Sequence, residues 1–150
     1  MTLSVYSPER YMKEAFRQAQ LAYEQGEVPV GAVVVVNNRI IARAHNQVEL
    51  LNDPTAHAEI LAITAAAEFL GNKYLEDCTM YITLEPCVMC AGALNWARVD
   101  TIYYGASDEK RGYSLVGKNI VHPKTKVNTG IMANECGQLL QDFFTNLREE

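Results

Sequence analysis

The chain has 150 residues, 49% of them hydrophobic, which is enough for one compact core and too short for two domains of ordinary size. No run of about 18 apolar residues occurs, and no basic segment followed by an apolar one opens the chain, so we expect neither a membrane span nor export. The formal charge of −5 gives no general affinity for nucleic acid. Two of the four cysteines have metal-ligand spacing, which suits a reducing compartment better than a disulfide framework. We therefore predict a single cytoplasmic domain over residues 1–150.

The first half of the chain alternates helical and strand patterns. Ser7 and Pro8 supply an N-cap and a proline at the first helical position. Asn37-Asn38 separates two apolar stretches, as in a hairpin whose turn tolerates positive φ, and the first stretch is apolar throughout, as expected of a strand buried on both faces. The predicted elements are a helix ending at Gly26, strands at 32–36 and 39–42, and a helix from residue 56 to about residue 70, introduced by Asp53-Pro54-Thr55.

The second half predicts a βαβ unit, a loop-rich segment and a last helix. A strand, a helix and a strand follow one another closely, which favours parallel strands and a right-handed crossover. The predicted ranges are a strand at 79–83, a helix at 86–96, a strand at 101–104, only short structured pieces within 105–130, and an amphipathic helix from about residue 134. Helices on both faces of a mixed sheet make a three-layer α/β/α sandwich, so the predicted fold class is α/β.

The loop-rich segment is more basic than the rest of the chain. Residues 98–126 carry 6 basic and 3 acidic side chains, a local charge of +3. A local basic face can bind phosphates in an acidic protein, although a solvated loop surface would show the same composition.

Two short motifs supply the candidate functional residues. They are His57-Ala58-Glu59 and Pro86-Cys87-Val88-Met89-Cys90, each near a predicted helix start. The two cysteines are three residues apart, so both thiols face one side of their helix, and the positive end of the helix dipole favours the thiolate that binds a metal. The histidine and the glutamate are about 200° apart around a helix, so they can converge on one point only near its start.

Three ligands and one spare carboxylate describe a catalytic zinc site better than a structural one. Structural zinc has four protein ligands, whereas catalytic zinc keeps one position for water, and His57, Cys87 and Cys90 leave that position free. Zinc lowers the pKa of bound water from about 15.7 to about 7, and Glu59 could carry the released proton to a leaving group. The sequence thus predicts one Zn²⁺ per chain and hydrolytic chemistry at an electrophilic carbon.

Two other interpretations remain open on these residues alone. A Cys-x-x-Cys at a helix start after a strand is also typical of thiol–disulfide oxidoreductases, although that function leaves His57 and Glu59 unexplained. A non-catalytic zinc module would need a fourth protein ligand. The candidates for that ligand are His45, His122, Cys78 and Cys136.

The motifs match the H-x-E…P-C-x-x-C signature of zinc nucleobase deaminases, and wider stretches resemble the bacterial tRNA-specific adenosine deaminases. The stretches that carry the resemblance are Val28-Pro29-Val30-Gly31-Ala32, Asp53 to Glu59, Thr83 to Gly92, and Tyr104-Gly105-Ala106-x-Asp108-x-Lys110, within a similarity from about Met12 to Leu147. The resemblance implies a cytidine-deaminase-like fold. It also implies conversion of adenosine to inosine at the wobble position of a tRNA anticodon loop.

The resemblance implies roles for individual residues as well. His57, Cys87 and Cys90 would hold the zinc, Glu59 would move protons, and Asn46 would hydrogen-bond the purine edge. The residues that would wall the base pocket are Val28, Val30 and Leu84, and those near the RNA are Asp108, Lys110, Phe144 and Arg148. The family further implies a homodimer, which agrees with apolar helix surface around Leu94 and Trp96.

The chain departs from the family pattern after Lys110. Gly112-Tyr113-Ser114-Leu115 replaces a stretch of small residues, and the segment up to Gly130 is shorter. Related guanine and cytosine deaminases share the zinc site and act on free bases, and Asn95-Trp96-Ala97-Arg98 is similar to a helix of the guanine enzymes. Deamination of a free nucleobase, guanine or cytosine, is therefore the alternative function.

Overall fold

The computed structural model describes residues 6–149, which form one five-stranded sheet with helices on both of its sides. The helices are α1 (Pro8–Glu24), α2 (Val48–Leu51), α3 (Ala58–Leu70), α4 (Val88–Trp96) and α5 (Ala133–Glu149). The strands are β1 (Gly31–Val36), β2 (Arg39–His45), β3 (Thr79–Leu84), β4 (Thr101–Ala106) and β5 (Lys126–Thr129), with 3₁₀ turns at Tyr113–Leu115 and Lys118–Ile120. Within these residues, no helix combines the length and the apolar character that a bilayer crossing requires.

The sheet is mixed, with the strand order β2-β1-β3-β4-β5. β1 is antiparallel to β2 and to β3, whereas β3, β4 and β5 are parallel. α4 connects β3 to β4, which confirms the predicted parallel βαβ unit. Leu84 pairs with Ala106, so β3 and β4 end at the same edge of the sheet. The segments that follow them, with Cys87 after β3 and Asp108 after β4, therefore leave the sheet side by side.

Different helices cover the two faces of the sheet. One face packs on α1 through Tyr11, Met12, Ala15, Val33, Val35 and Tyr81, and α5 contacts α1 on the same side. The other face packs on α3 and α4 through a cluster that includes Ala32, Val34, Ala58, Ala62, Ala66, Met80, Ile82, Ala91 and Leu94. β1 is thus buried on both faces, as its uninterrupted apolar sequence predicted. The three layers confirm the predicted α/β/α sandwich.

Several element boundaries differ from the sequence prediction for local reasons. α3 begins at Ala58 and not at residue 56, because His57 has the extended backbone of an N-cap, with φ −75° and ψ 154°. α4 likewise begins at Val88, with Cys87 as its N-cap. β2 continues to His45, and the sequence did not predict α2 or β5. All four side chains of β5 are exposed, so its sequence lacks the alternation of apolar residues that marks a strand.

Gly31 marks the place where α1 approaches the sheet, and we expect its substitution to destabilise the fold. A Cβ at this position would overlap the carbonyl oxygen of Ala15 and would lie 2.7 Å from Cβ of Gln18. Because helix backbone is in the way, Gly31→Ala should lower the free energy of unfolding by about 1–3 kcal/mol, as overpacking does. Urea denaturation measures the change. Gly92→Ala is the matched control, since nothing lies within 4 Å of its Cβ, and an equal loss in both variants would contradict this prediction.

Candidate active site

The candidate zinc ligands lie at the N-termini of two neighbouring helices. His57 is the N-cap of α3 and Cys87 is the N-cap of α4, while Cys90 lies in the first turn of α4. Neither N-cap side chain makes a capping hydrogen bond, and both face the space between the two helix starts, where Nδ1 of His57 lies 3.7 Å from Sγ of Cys87. Because α3 and α4 pack on the same face of the sheet, their N-termini bring the three side chains together.

The three ligand atoms have the spacing of a tetrahedral zinc site. Nδ1 of His57 lies 3.7 Å from Sγ of Cys87 and 3.5 Å from Sγ of Cys90, and all three atoms lie within 4.8 Å of one another. With Zn–S bonds of about 2.3 Å and a Zn–N bond of about 2.05 Å, tetrahedral coordination separates nitrogen and sulfur ligands by about 3.6 Å. The residues present therefore fit a zinc ion.

The two thiols share one negative charge in a way that prepares them for a metal. The hydrogen bond from Cys90 lowers the pKa of Cys87 to about 4, and the same hydrogen bond raises the pKa of Cys90. The hydrogen bond with Cys87 raises the pKa of His57. Cys87 is thus a thiolate at neutral pH, which is the state that ligates a metal.

Glu59 lies beside the ligand group and does not belong to it. It is the second residue of α3, and only 4% of its surface is exposed. Burial raises the pKa of its carboxyl group to about 7, while a hydrogen bond with Cys90 acts in the opposite direction. The group of mutually close ligand atoms consists of His57, Cys87 and Cys90. A carboxyl group with a pKa near neutrality can accept and donate protons, which a proton carrier requires.

Asn46 connects the end of β2 to the start of α3. It is buried, and its Oδ1 accepts the N–H of Ala58 at 2.7 Å, next to His57. Its own N–H donates to the carbonyl of Val30 at 3.1 Å. Val30 is buried, and Val28 and Leu84 are half-buried against the same apolar cluster that contains Ala58. The structure therefore brings Asn46 and Val30 to the helix end that carries His57, while Val28 and Leu84 pack on the apolar cluster below it.

The four residues predicted near RNA lie in two places. Asp108 follows β4, and its Oδ1 accepts the N–H groups of Lys110 and Arg111 at 3.0 Å. The side chain of Lys110 is exposed. Phe144 and Arg148 are exposed on the final turns of α5. That end of α5 packs on Tyr23 near the end of α1, through an edge-to-face contact with Phe143 and a hydrogen bond from Asn146. Phe144 and Arg148 therefore belong to the α1 layer, across the sheet from α3 and α4.

The alternative ligands do not join the candidate ligand group within residues 6–149. His45 bonds to three glutamine side chains, and Nδ1 of His122 accepts the N–H of Lys124. Cys78 and Cys136 are buried elsewhere in the core. The described residues thus supply three mutually close ligands and no fourth histidine or cysteine, which disfavours a closed structural zinc site.

Glu85, which belongs to neither of the two motifs of candidate ligands and acids, lies directly after β3 at the edge of the sheet where the site is found. Its buried carboxylate bonds to the segment that contains Asp108 and Ser114. A glutamate between a buried strand and a Pro-Cys motif is a local signal, but its partners are 23 and 29 residues away, so the sequence did not indicate them.

Comparisons with known proteins place this site in a family. The profile of the MafB19-like deaminases matches residues 6–148. The tRNA-specific adenosine deaminase of Bacillus subtilis (strain 168) is 46% identical over 147 residues, which cover 95% of this chain and 91% of that protein. A structure solved in studies of A-to-I editing by tRNA:A34 deaminases has a TM-score of 0.81 and 41% identity, covering 86% of this chain and 97% of that one.

A guanine deaminase structure from Bacillus subtilis is similar over a smaller part of both chains. Its TM-score is 0.65 at 40% identity, and the match covers 73% of this chain and 69% of that one. The free-base alternative is therefore not favoured. The fold and the family profile define a deaminase of the MafB19-like class. Within that class, the chain belongs to the family of tRNA-specific adenosine deaminases, which confirms the resemblance seen in its motifs.

Proposed function

We propose that the chain hydrolyses the wobble adenosine of a tRNA anticodon loop to inosine, as one cytoplasmic domain over residues 1–150 with one zinc ion per chain. The observation that carries the proposal is a group of three ligands, His57, Cys87 and Cys90, with the buried carboxyl of Glu59 beside it. Relatives named tRNA-specific adenosine deaminases support the substrate. The cytoplasm supplies both tRNA and the reducing conditions that keep thiols free.

The chain's own residues account for the proton movements of this hydrolysis. When bound, zinc lowers the pKa of a water molecule to about 7 and so supplies a nucleophile at neutral pH. As the water oxygen bonds to C6 of adenine, Glu59 takes a proton and passes it to N1. Glu59 then carries the second proton from the new hydroxyl to the amino group. The bond between C6 and the exocyclic amino nitrogen breaks, ammonia leaves, and inosine keeps the oxygen at C6.

Asn46 and its apolar neighbours would hold the base. Because Oδ1 of Asn46 accepts the N–H of Ala58, the amide's NH₂ group is left to donate to an acceptor on the purine edge. Val28, Val30 and Leu84 supply apolar contacts for the ring. Ligand sites commonly combine such apolar walls with a few placed polar groups.

The RNA backbone would be bound outside this pocket. Lys110 is exposed in the turn that Asp108 fixes, within residues 98–126, which have a local charge of +3. Phe144 and Arg148 on α5 offer a ring for stacking and a cation for a phosphate. A nucleotide in an anticodon loop is already unpaired, so turning its base into the pocket costs little.

We further propose a homodimer that uses the exposed face of α4. Trp96 is 84% exposed and Val88 and Met89 are also exposed, whereas Leu94 belongs to the core. Large exposed apolar groups on one helix are typical of an interaction surface. Light scattering at micromolar concentration should give the mass of a dimer, and Trp96→Arg should give a monomer. Phe69→Arg, on α3, is the control that should remain dimeric, and a monomeric wild type would contradict the proposal.

One zinc ion per chain should purify with the protein, and elemental analysis measures it. Changing Cys87→Ala and Cys90→Ala together removes two of three ligands, so the bound zinc should be lost. Cys78→Ala is the matched control, because Cys78 is a buried cysteine outside the ligand group, and this variant should keep its zinc. Zinc retained by the double variant, or a folded wild type that purifies without metal, would rule out the proposed site.

Glu59→Ala should keep the fold and the zinc but lose most activity, since Glu59 transfers protons and does not bind the metal. General acid–base groups contribute about 10² to 10⁴ in rate, so we expect at least a hundredfold fall in kcat. Glu68→Ala changes an exposed glutamate of the same helix and should leave kcat unchanged. A fall below tenfold would assign proton transfer to another group, and loss of zinc would make Glu59 a ligand.

An anticodon stem-loop with a wobble adenosine should be converted to inosine, with no comparable turnover of free adenosine, guanine or cytosine. The four substrates are assayed at two salt concentrations. Each phosphate contact releases counterions, so the RNA affinity should fall with salt by a log–log slope of about −0.7 per contact, while a neutral base should show little salt dependence. A stem-loop with guanosine at the wobble position is the control. If guanine is deaminated efficiently and without salt dependence while the stem-loop does not react, the tRNA assignment is wrong and the substrate is a free base.

A further inference from the structure

Glu85, between β3 and Cys87, has a carboxylate that the proposed reaction does not use. Only 4% of its surface is exposed. Its Oε1 accepts the N–H of Asp108 at 3.1 Å. Its Oε2 accepts the N–H of Ser114 at 3.1 Å and the hydroxyl of Ser114 at 2.6 Å. All three donors belong to residues 108–114, which we call the 108–114 loop. One buried carboxylate therefore holds both ends of this loop.

The loop lies directly against the carboxylate. A Cβ on Gly112 would overlap the carboxyl group of Glu85. The φ of Gly112 is −62°, a value that any residue adopts, so the carboxylate and not the backbone conformation requires glycine here. The N–H of Tyr113 also donates to the carbonyl of Pro86 at 3.0 Å, and Gly112 forms an isolated bridge with Cys87. The loop is therefore fastened to the segment that carries the metal ligands.

The anchored loop carries residues that are proposed to meet the RNA. Asp108 is one of the two anchored residues, and the exposed Lys110 lies between them. We propose that Glu85 is a positioning residue that holds the 108–114 loop where it binds RNA, and so sets RNA affinity without taking part in the chemistry at the metal. This inference rests on the proposed tRNA substrate.

The choice of a carboxylate supports positioning over simple packing. A buried carboxylate is costly to remove from water unless it is hydrogen-bonded, so an apolar side chain would serve better if filling space were its only role. Glu85 instead has one acceptor oxygen for each end of the loop. Glu27 offers a comparison, because this buried glutamate also accepts two backbone N–H groups, but they belong to the adjacent residues Glu49 and Leu50 of α2.

Glu85→Gln tests the inference by removing one acceptor. An amide has one acceptor oxygen, so its NH₂ group must face the N–H of either Asp108 or Ser114, and the loop loses one anchor. On an anticodon stem-loop with a wobble adenosine, we expect KM to rise about tenfold, which corresponds to about 1.4 kcal/mol. We expect kcat to stay within about twofold and zinc to stay at one ion per chain. A raised KM with unchanged kcat indicates the loss of an interaction that stabilises the bound substrate and the transition state equally.

A second variant displaces the loop and leaves the carboxylate intact. Gly112→Ala places a methyl group against Glu85 and should raise KM in the same way. Ser114→Ala removes only the hydroxyl bond and should raise KM less. The matched controls are Glu27→Gln and Gly137→Ala, since a Cβ on Gly137 would meet only Cβ of Ala106 at an ordinary 3.9 Å. Both controls should keep the wild-type KM, although Glu27→Gln should lower the melting temperature.

The possible outcomes separate the two proposals. A wild type that does not act on the stem-loop would overturn the proposed function, and this inference with it. An active wild type whose Glu85→Gln and Gly112→Ala variants keep the wild-type KM would overturn the positioning role alone. A fall in kcat with unchanged KM, or a loss of zinc, would overturn it as well, because either would assign Glu85 to the chemistry or to the metal site. If Glu85→Gln does not fold, Gly112→Ala and Ser114→Ala decide by the same readouts.

Discussion

The close packing of α3 on the sheet controls the geometry of the site. Both surfaces are lined by buried alanines, with Ala58, Ala62 and Ala66 on α3 and Ala42 and Ala44 on β2. Because alanine side chains end at Cβ, the helix lies near the strands, and its N-terminus meets the N-terminus of α4. Metal–ligand distances tolerate errors of only about 0.2 Å, so a larger side chain in this layer would move His57 out of the spacing that a metal bound by it and the two cysteines would need.

Buried polar side chains connect this frame to the segments around the site. Asn46 caps the start of α3, Thr83 accepts the N–H of Gly31, and Glu27 and Glu85 each accept two backbone N–H groups. Each of these four accepts backbone N–H groups at the start of a helix or strand or in a loop, groups that would otherwise be buried without a partner. Glu59 differs, because its carboxyl faces the thiol of Cys90 and has a pKa of about 7. Among the buried acids of residues 6–149, Glu59 alone does not fasten a segment, which agrees with its proposed role in proton transfer.

The sequence predicted the group of His57, Cys87 and Cys90 that the structure brings together, because histidine and cysteine residues at this spacing are typical metal ligands. It did not predict that His57 is the N-cap of α3. Because the backbone of His57 is extended and not helical, the angle of about 200° that separates two such residues on a helix does not apply to His57 and Glu59. β5 was missed because a solvent-exposed edge strand has no apolar pattern. The partners of Glu85 could not be found because they depend on how a distant loop folds back. The position of Phe144 depends likewise on the docking of α5 against α1, which follows from tertiary contacts and not from periodicity.

The 108–114 loop is held almost entirely through its main chain, by N–H groups that every residue except proline possesses. Its outward side chains can therefore be exchanged without loosening the attachment, provided that the glycine against the carboxylate is kept. Under the proposed RNA role of this loop, the groups that break the C–N bond and the groups that contact the polynucleotide would belong to separate segments. A library of substitutions confined to positions 109–111 would then show whether the choice of RNA can be changed while the catalytic groups are kept.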